Sequence, residues 1–226
     1  MPFRYPVALE LSGRRCVVVG GNAEAERKAR ALLEAEADVT VIAAEVTDGL
    51  RDLVRRGELA HVARPYHRGD LAGAFLVIAS GIDRRLRADV FAEAEEERVL
   101  CNAVDDTEHC HFAVPSIVRR GELLVAISTG GRAPALAKRL RRRLTAELGW
   151  EWEALVDVLG EVRAETLLTR TVDFTTWADR WQRVLDREAD LLELLAEGRI
   201  EEVRIRVRAE LAGEPAHRPD CRARGL

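Results

Sequence analysis

The stretch Arg15-Cys16-Val17-Val18-Val19-Gly20-Gly21-Asn22-Ala23-Glu24-Ala25 decides the fold class. A β-branched run stops at two glycines, and Ala25, Ala29, Leu32 and Leu33 then recur at helical spacing towards Glu36. Strand, glycine turn and helix in that order open a βαβ unit, and the rhythm continues outward. Val39-Thr40-Val41-Ile42 predicts a second strand, with a helix from about Thr47 to Arg56 behind it. Val62 marks a weak third strand. Ala74 to Ala79 is an almost continuous apolar run, as expected of a strand covered on both faces. A helix from about Asp83 to Glu97 follows, and then Arg98-Val99-Leu100-Cys101-Asn102. The alternation predicts an α/β fold, a Rossmann-like parallel sheet domain over residues 1–113.

Beyond it the rhythm changes. Phe112 to Val118 and Leu123 to Ser128 are extended runs joined by Arg119-Arg120-Gly121-Glu122, a β-hairpin that a parallel domain does not need. Pro134 sits at a first-turn position, and Leu136, Leu140 and Leu144 are read as the buried stripe of the next helix. A lone hairpin carrying Val118, Leu123, Val125 and Ile127 is marginal in water. Pairing with the same hairpin of a second copy buries its apolar face, so residues 114–148 are read as a dimerisation region of a homodimer. Residues 149–212 carry all four tryptophans (Trp150, Trp152, Trp177, Trp181), read as packing anchors of a small all-α domain of two or three helices. Residues 213–226, rich in Pro, Gly and Arg, are read as a disordered tail.

Composition narrows the function classes. Of 226 residues, 47% are hydrophobic and 33% charged, which suits a folded soluble chain. Lys+Arg total 35 against 39 Asp+Glu, a net charge of −4 without the global basic footprint of a nucleic-acid binder. No apolar run approaches the roughly 18 residues of a membrane span, and because Met1-Pro2-Phe3-Arg4-Tyr5 has no apolar h-region a secretory signal is not expected. Cys16, Cys101, Cys110 and Cys221 show neither Cys-x-x-Cys spacing nor disulfide density, and a reducing cytoplasm is expected. Cys16 and Cys101 fall in predicted strands and are expected to be buried.

A dinucleotide loop needs small residues for the tight turn, for approach to pyrophosphate and for helix–strand packing. Gly20 and Ala25 meet the first and third needs; Asn22 stands at the second. Asn22 tolerates positive φ, so the turn survives, but its side chain adds bulk where phosphate approaches. The helix N-terminus at Ala23 and Glu24 keeps free N–H groups for an anion. After the second strand come Ala43, Ala44 and then Glu45, the candidate ribose-binding acid, with no arginine in the turn; NAD is favoured over NADP. A cofactor loop at Gly20-Gly21-Asn22-Ala23-Glu24 and a plain βα turn both remain open on these residues alone.

The chain resembles the precorrin-2 dehydrogenases of sirohaem synthesis, including the N-terminal module of sirohaem synthase. The resemblance rests on Tyr5-Pro6-Val7, Leu11-Ser12-Gly13-Arg14, Val17-Val18-Val19-Gly20-Gly21 and Ala25-Glu26-Arg27-Lys28-Ala29. Leu76-Val77-Ile78-Ala79-Ser80, Cys101-Asn102-Ala103-Val104-Asp105-Asp106 and Phe112-Ala113-Val114-Pro115-Ser116-Ile117-Val118 continue it. Val125-Ala126-Ile127-Ser128-Thr129-Gly130-Gly131, Pro134-Ala135-Leu136-Ala137 and Leu140-Arg141 complete the ordered set. Asn22 departs from the family's usual Gly, and Ala133 from the Ser that normally precedes the proline, which removes a helix cap. The resemblance implies NAD-dependent oxidation of precorrin-2 to sirohydrochlorin by a homodimer, with ferrous-iron insertion in some members. It places the family's important carboxylate on Asp105.

Asn102 and Asp105 follow the fifth predicted strand, on the sheet edge that Gly20 occupies. Asp105 there is suited to accept a proton as hydride leaves the substrate; Asp105 or Asp106 capping a turn is the bland alternative. The implied substrate carries eight carboxylates and calls for cations and N–H donors. Asn102 and Ser128-Thr129-Gly130-Gly131-Arg132 are the candidate substrate contacts, with Arg119 and Arg120 as further cations. Lys138, Arg139, Arg141, Arg142 and Arg143 read first as a solvated face. His109-Cys110-His111 reads as a loop with incidental histidines, because no spacing supplies further ligands; no resident metal is expected. Two other functions stay open: a chelatase that has lost nucleotide binding, and a non-catalytic module that senses nucleotide.

Overall fold

The computed structural model describes residues 5–213. The chain divides into two compact units, Met1–Val114 and Pro115–Leu226. The expected tail over 213–226 lies outside the described residues apart from Gly213, and Cys221 lies outside them too.

The first unit is built from β1 (Arg15–Val19), α1 (Ala23–Leu33), β2 (Asp38–Ile42), α2 (Asp48–Arg55), β3 (Ala60–Val62), β4 (Leu76–Ala79), α3 (Arg84–Glu97) and β5 (Leu100–Ala103). All five strands run parallel in the order β3-β2-β1-β4-β5. The chain moves outward from β1 to β3 and then crosses to β4, so the strand order reverses between β1 and β4. Loops diverge at such a point and leave a crevice beyond the carboxyl ends of the strands. Alternating side chains of the strands feed two cores. Val18, Val41 and Ile78 pack with Ala25, Ala29 and Leu50 of α1 and α2 on one face. Val17, Val77 and Ala79 pack with Val90 and Ala94 of α3 on the other. Double-sided burial explains why these strands read as apolar runs.

Cys16 and Cys101 are wholly buried in β1 and β5. Removal from water pushes the Cys16 thiol up to about 11 and the Cys101 thiol to about 12.

In the second unit β6 (Ser116–Arg120) and β7 (Leu123–Ile127) pair as an antiparallel hairpin. α4 (Pro134–Glu147) follows, then α5 (Glu151–Thr169), α6 (Phe174–Leu185), α7 (Glu188–Ala196) and α8 (Ile200–Ala212). Among the described residues there are four helices after Trp150, where two or three were expected. The breaks at 186–187 and 197–199 are too short to interrupt an apolar pattern, although Gly198, at φ +78, marks one of them. Val158, Val162, Leu195, Val203 and Val207 form their core. Trp177 is buried within this unit, but Trp150 is exposed.

The buried stripe expected on α4 is also corrected. Leu136 is 49% and Leu140 36% exposed, Leu144 is half-buried, and Ala137 is the residue turned inward. On the hairpin Val118 is buried while Ile117 and Leu124 stand exposed. Ala133 supplies no side-chain cap to α4; Thr129 Oγ1 accepts the Ala133 N–H instead, at 3.1 Å. Among the described residues no helix is long and apolar enough to cross a membrane.

Candidate functional site

The two glycines after β1 are required by backbone packing. Gly20 has φ +124, and a Cβ there would collide with the Ser80 carbonyl oxygen at the end of β4. A Cβ on Gly21 would collide with the Glu45 carbonyl oxygen after β2. The loops leaving β1, β2 and β4 are therefore drawn together at this point. Gly20 N–H donates to Ile42 O at 3.0 Å, and Ser80 N–H donates to Val19 O at 2.9 Å.

Asn22 does not use the positive φ that its tolerance allowed. Its backbone is extended at φ −81, and its side-chain oxygen accepts the Ala25 N–H at 2.9 Å as the N-cap of α1. The amide is folded back over Gly81, where a Cβ would strike it, so its bulk lies on the helix turn. The N–H groups of Ala23 and Glu24, in the first turn, have no carbonyl one turn behind them. Ala23 is exposed. These residues fit a nucleotide phosphate, held by N–H groups at the positive end of α1. Glu24 aims its carboxylate at Arg27 and Lys28 of its own helix. Ala44 and Glu45 are exposed on the neighbouring loop, open to a ribose.

Register carries this edge across to Asp105. Val19 aligns with Ala79, and Ala79 with Ala103, while Val104 N–H donates to Ala79 O at 2.9 Å. With strands about 4.8 Å apart, the glycine loop and the turn after β5 stand two strand spacings apart on one edge. Asp105 is exposed there, in the left-handed region at φ +61. Lys28, on the second turn of α1, has its ammonium largely buried; desolvation lowers its pKa, and the charges of Glu24 and Asp105 oppose that. Lys28 escaped the sequence reading, although it sits within the quoted Ala25–Ala29 stretch. The available signal was a lysine one position from the buried Ala29.

Asn102 does not lie on the open edge. It is buried at the end of β5, and its Nδ2 donates to Phe112 O at 2.9 Å, bracing the return segment against the strand. His109, Cys110 and His111 have distinct tasks. His109 Nδ1 meets Asp106 Oδ2 at 2.9 Å, and this contact, with the charges of His109 and Arg87, holds the Asp106 carboxyl below the usual carboxylate range. His111 Nδ1 accepts the Cys101 N–H at 3.0 Å, and its Nε2 meets Glu95. Cys110 Sγ accepts the Ala103 N–H at 3.1 Å. Both histidine rings lie against Phe91, at 5.4 and 4.9 Å between centroids.

In the second unit, Ser128 Oγ accepts the Gly130 N–H at 3.2 Å, and Gly130 and Gly131 take φ +60 and +78. The turn ends with Arg132 exposed at the start of α4. Arg120, expected as a substrate cation, is committed elsewhere: its guanidinium donates to Leu148 O and Thr145 O at 2.7 and 2.8 Å and closes the last turn of α4. Arg119 is exposed. Lys138, Arg139, Arg142 and Arg143 face solvent, with Arg143 paired to Glu147 at 2.7 Å.

Comparison with known proteins adds to this geometry. Residues 7–116 match a family model described as putative NAD(P)-binding, and residues 120–147 match one described as sirohaem biosynthesis protein, central. A siroheme synthase of Photobacterium profundum is 38% identical over 188 residues, covering 83% of this chain and 40% of its own length. Over these residues the chain is similar to the sirohaem synthases. A second relative, the siroheme synthase of Photorhabdus laumondii, is 35% identical over 206 residues, 91% of this chain and 43% of its own length. The chain thus spans about two fifths of the length of these curated relatives. A solved structure described as SirC, precorrin-2 dehydrogenase shares the fold, with TM-score 0.65 and 22% identity over 93% of this chain and 100% of that one. The match described as putative NAD(P)-binding thus falls almost wholly on the first unit.

Proposed function

We propose that this protein oxidises precorrin-2 to sirohydrochlorin, with NAD as the hydride acceptor. The observation that carries this reading is the shared edge: an anion-ready helix N-terminus at Ala23 and an exposed, conformationally constrained Asp105 two strands away. Similarity to the sirohaem synthases supports the substrate class. When bound, the nicotinamide takes the hydride. The chain's own part is to hold the nucleotide at Gly20–Glu24, to hold its ribose at Ala44 and Glu45, and to accept the departing proton on the Asp105 carboxylate. Glu45, in a turn without arginine, supports NAD over NADP. The N–H groups of the Ser128–Gly131 turn and the Arg132 guanidinium suit the carboxylates of the substrate.

We further propose a cytoplasmic homodimer. Ile117, Leu124, Leu136 and Leu140 form an exposed apolar set on the hairpin and α4 that a second copy would cover. The buried, unpaired thiols of Cys16 and Cys101 suit a reducing compartment.

The deciding experiment follows absorbance as purified protein converts precorrin-2 with and without NAD, in wild type and in Asn22→Gly. Turnover that requires NAD supports the proposal. Absence of turnover in both proteins at millimolar NAD overturns it.

A further inference from the structure

The turn after β5 sends consecutive side chains to opposite faces of the sheet. Asp105 lies within electrostatic reach of Lys28 on α1, whereas Asp106 faces Arg87 on α3. Asp105 itself takes left-handed backbone, at φ +61, which is disfavoured for a residue with a Cβ. A conformation of that kind persists only where its surroundings impose it.

The imposing contacts flank Asp105 on both sides. Arg87 Nη1 donates to the Val104 carbonyl at 3.1 Å, and its Nε lies 3.9 Å from Asp106 Oδ2. That Nε is buried and has no hydrogen-bond partner among the described residues, so a polar atom is held out of water beside the Asp106 carboxylate. The carboxylate is fixed from its other side by His109 Nδ1 at 2.9 Å, and the His109 ring rests edge-on against Phe91. Asp106 N–H donates to Ala103 O at 3.2 Å, and its carbonyl accepts the His109 N–H at 3.2 Å. Residues 104 and 106 are thereby tied down while Asp105 alone stays exposed between them.

We propose that Asp106, His109 and Arg87 form a clamp that holds the Asp105 carboxylate in position for proton acceptance, and that they are positioning residues for the reaction. This inference rests on the function proposed above. Releasing the clamp lets residue 105 relax towards ordinary backbone angles and swings the carboxylate off the sheet edge. Misplacement of a reacting group by about 1 Å costs up to about a hundredfold in rate.

The test uses the full chain and NAD-dependent precorrin-2 turnover. Asp106→Asn and His109→Leu are expected to lower kcat between about tenfold and a hundredfold, with KM for both substrates unchanged. His109→Asn, whose amide places an N–H near the Nδ1 position, is expected to recover most of the loss. In an Asp105→Asn background the same changes should cost nothing further, because the clamp acts only through that carboxylate. Thermal melting identifies the folded variants, and the partly exposed His109 carries the test if Asp106→Asn does not fold. Folded variants with kcat within twofold of wild type overturn the clamp, as does an additive loss in the Asp105→Asn background. Full turnover in Asp105→Asn itself overturns the reaction reading, and the clamp with it.

Discussion

Asp105 occupies the left-handed region without being glycine, and asparagine is the substitution that keeps this conformation while removing the charge. Asp105→Asn should melt within about 1 °C of wild type, since an exposed carboxylate contributes little to stability. Its turnover should fall by two orders of magnitude or more, about 10²–10⁴-fold, the range a proton-transferring group contributes. Unchanged turnover in a folded Asp105→Asn protein would remove the residue from the chemistry. Asn22 gives a contrasting case, because its visible task is structural. Loss of the cap in Asn22→Ala should cost about 1 kcal/mol in urea denaturation. The departure from glycine at position 22 was legible in the sequence, but its meaning was not. Whether the amide would face a phosphate or its own helix depended on Gly81, fifty-nine residues away, which leaves room for the side chain to fold back.

Among the elements, strands β1, β2, β4 and β5 were readable because a sheet covered on both faces demands unbroken apolar runs. The reason for Gly20 and Gly21 was not readable, since it lies in carbonyl groups of two other loops. Gly20→Ala should destabilise the first unit by on the order of 3 kcal/mol or more, with or without nucleotide. Equal stability of Gly20→Ala and wild type without NAD would show that the glycine serves only ligand approach. α1 and α2 are joined by a hydrogen bond from Thr47 Oγ1 to Glu26 Oε2 at 2.6 Å. That bond, with Arg30, holds the Glu26 pKa below its ordinary 4.5. The unfolded chain therefore takes up this proton first as pH falls. The stabilisation is complete above the ordinary value and disappears as pH drops through the lower, folded one. Glu26→Gln should accordingly flatten the acid side of a stability–pH curve, in the range below the ordinary 4.5. A slope identical to wild type would show that the bond is absent in solution. The apolar stripe of α4 failed as a burial prediction for a different reason: helical spacing shows which residues share a face, but not what covers it. Leu136 and Leu140 do share a face, and neither is buried within one chain.

At the scale of the whole molecule, the two units have separate cores, and the second bears the uncovered apolar set. Leu140→Asp should halve the mass seen by light scattering at micromolar concentration while leaving helix content unchanged. A wild type that is already monomeric would contradict the homodimer. The buried sulfurs of the first unit offer one more consequence. At neutral pH neither Cys16 nor Cys101 carries a nucleophilic anion, and neither is reachable from outside. Alkylation at either one must wait for its strand to come loose. Peptide-resolved maleimide tagging would then serve as a stopwatch for β1 and, independently, for the β5 strand that leads into the Asp105 turn.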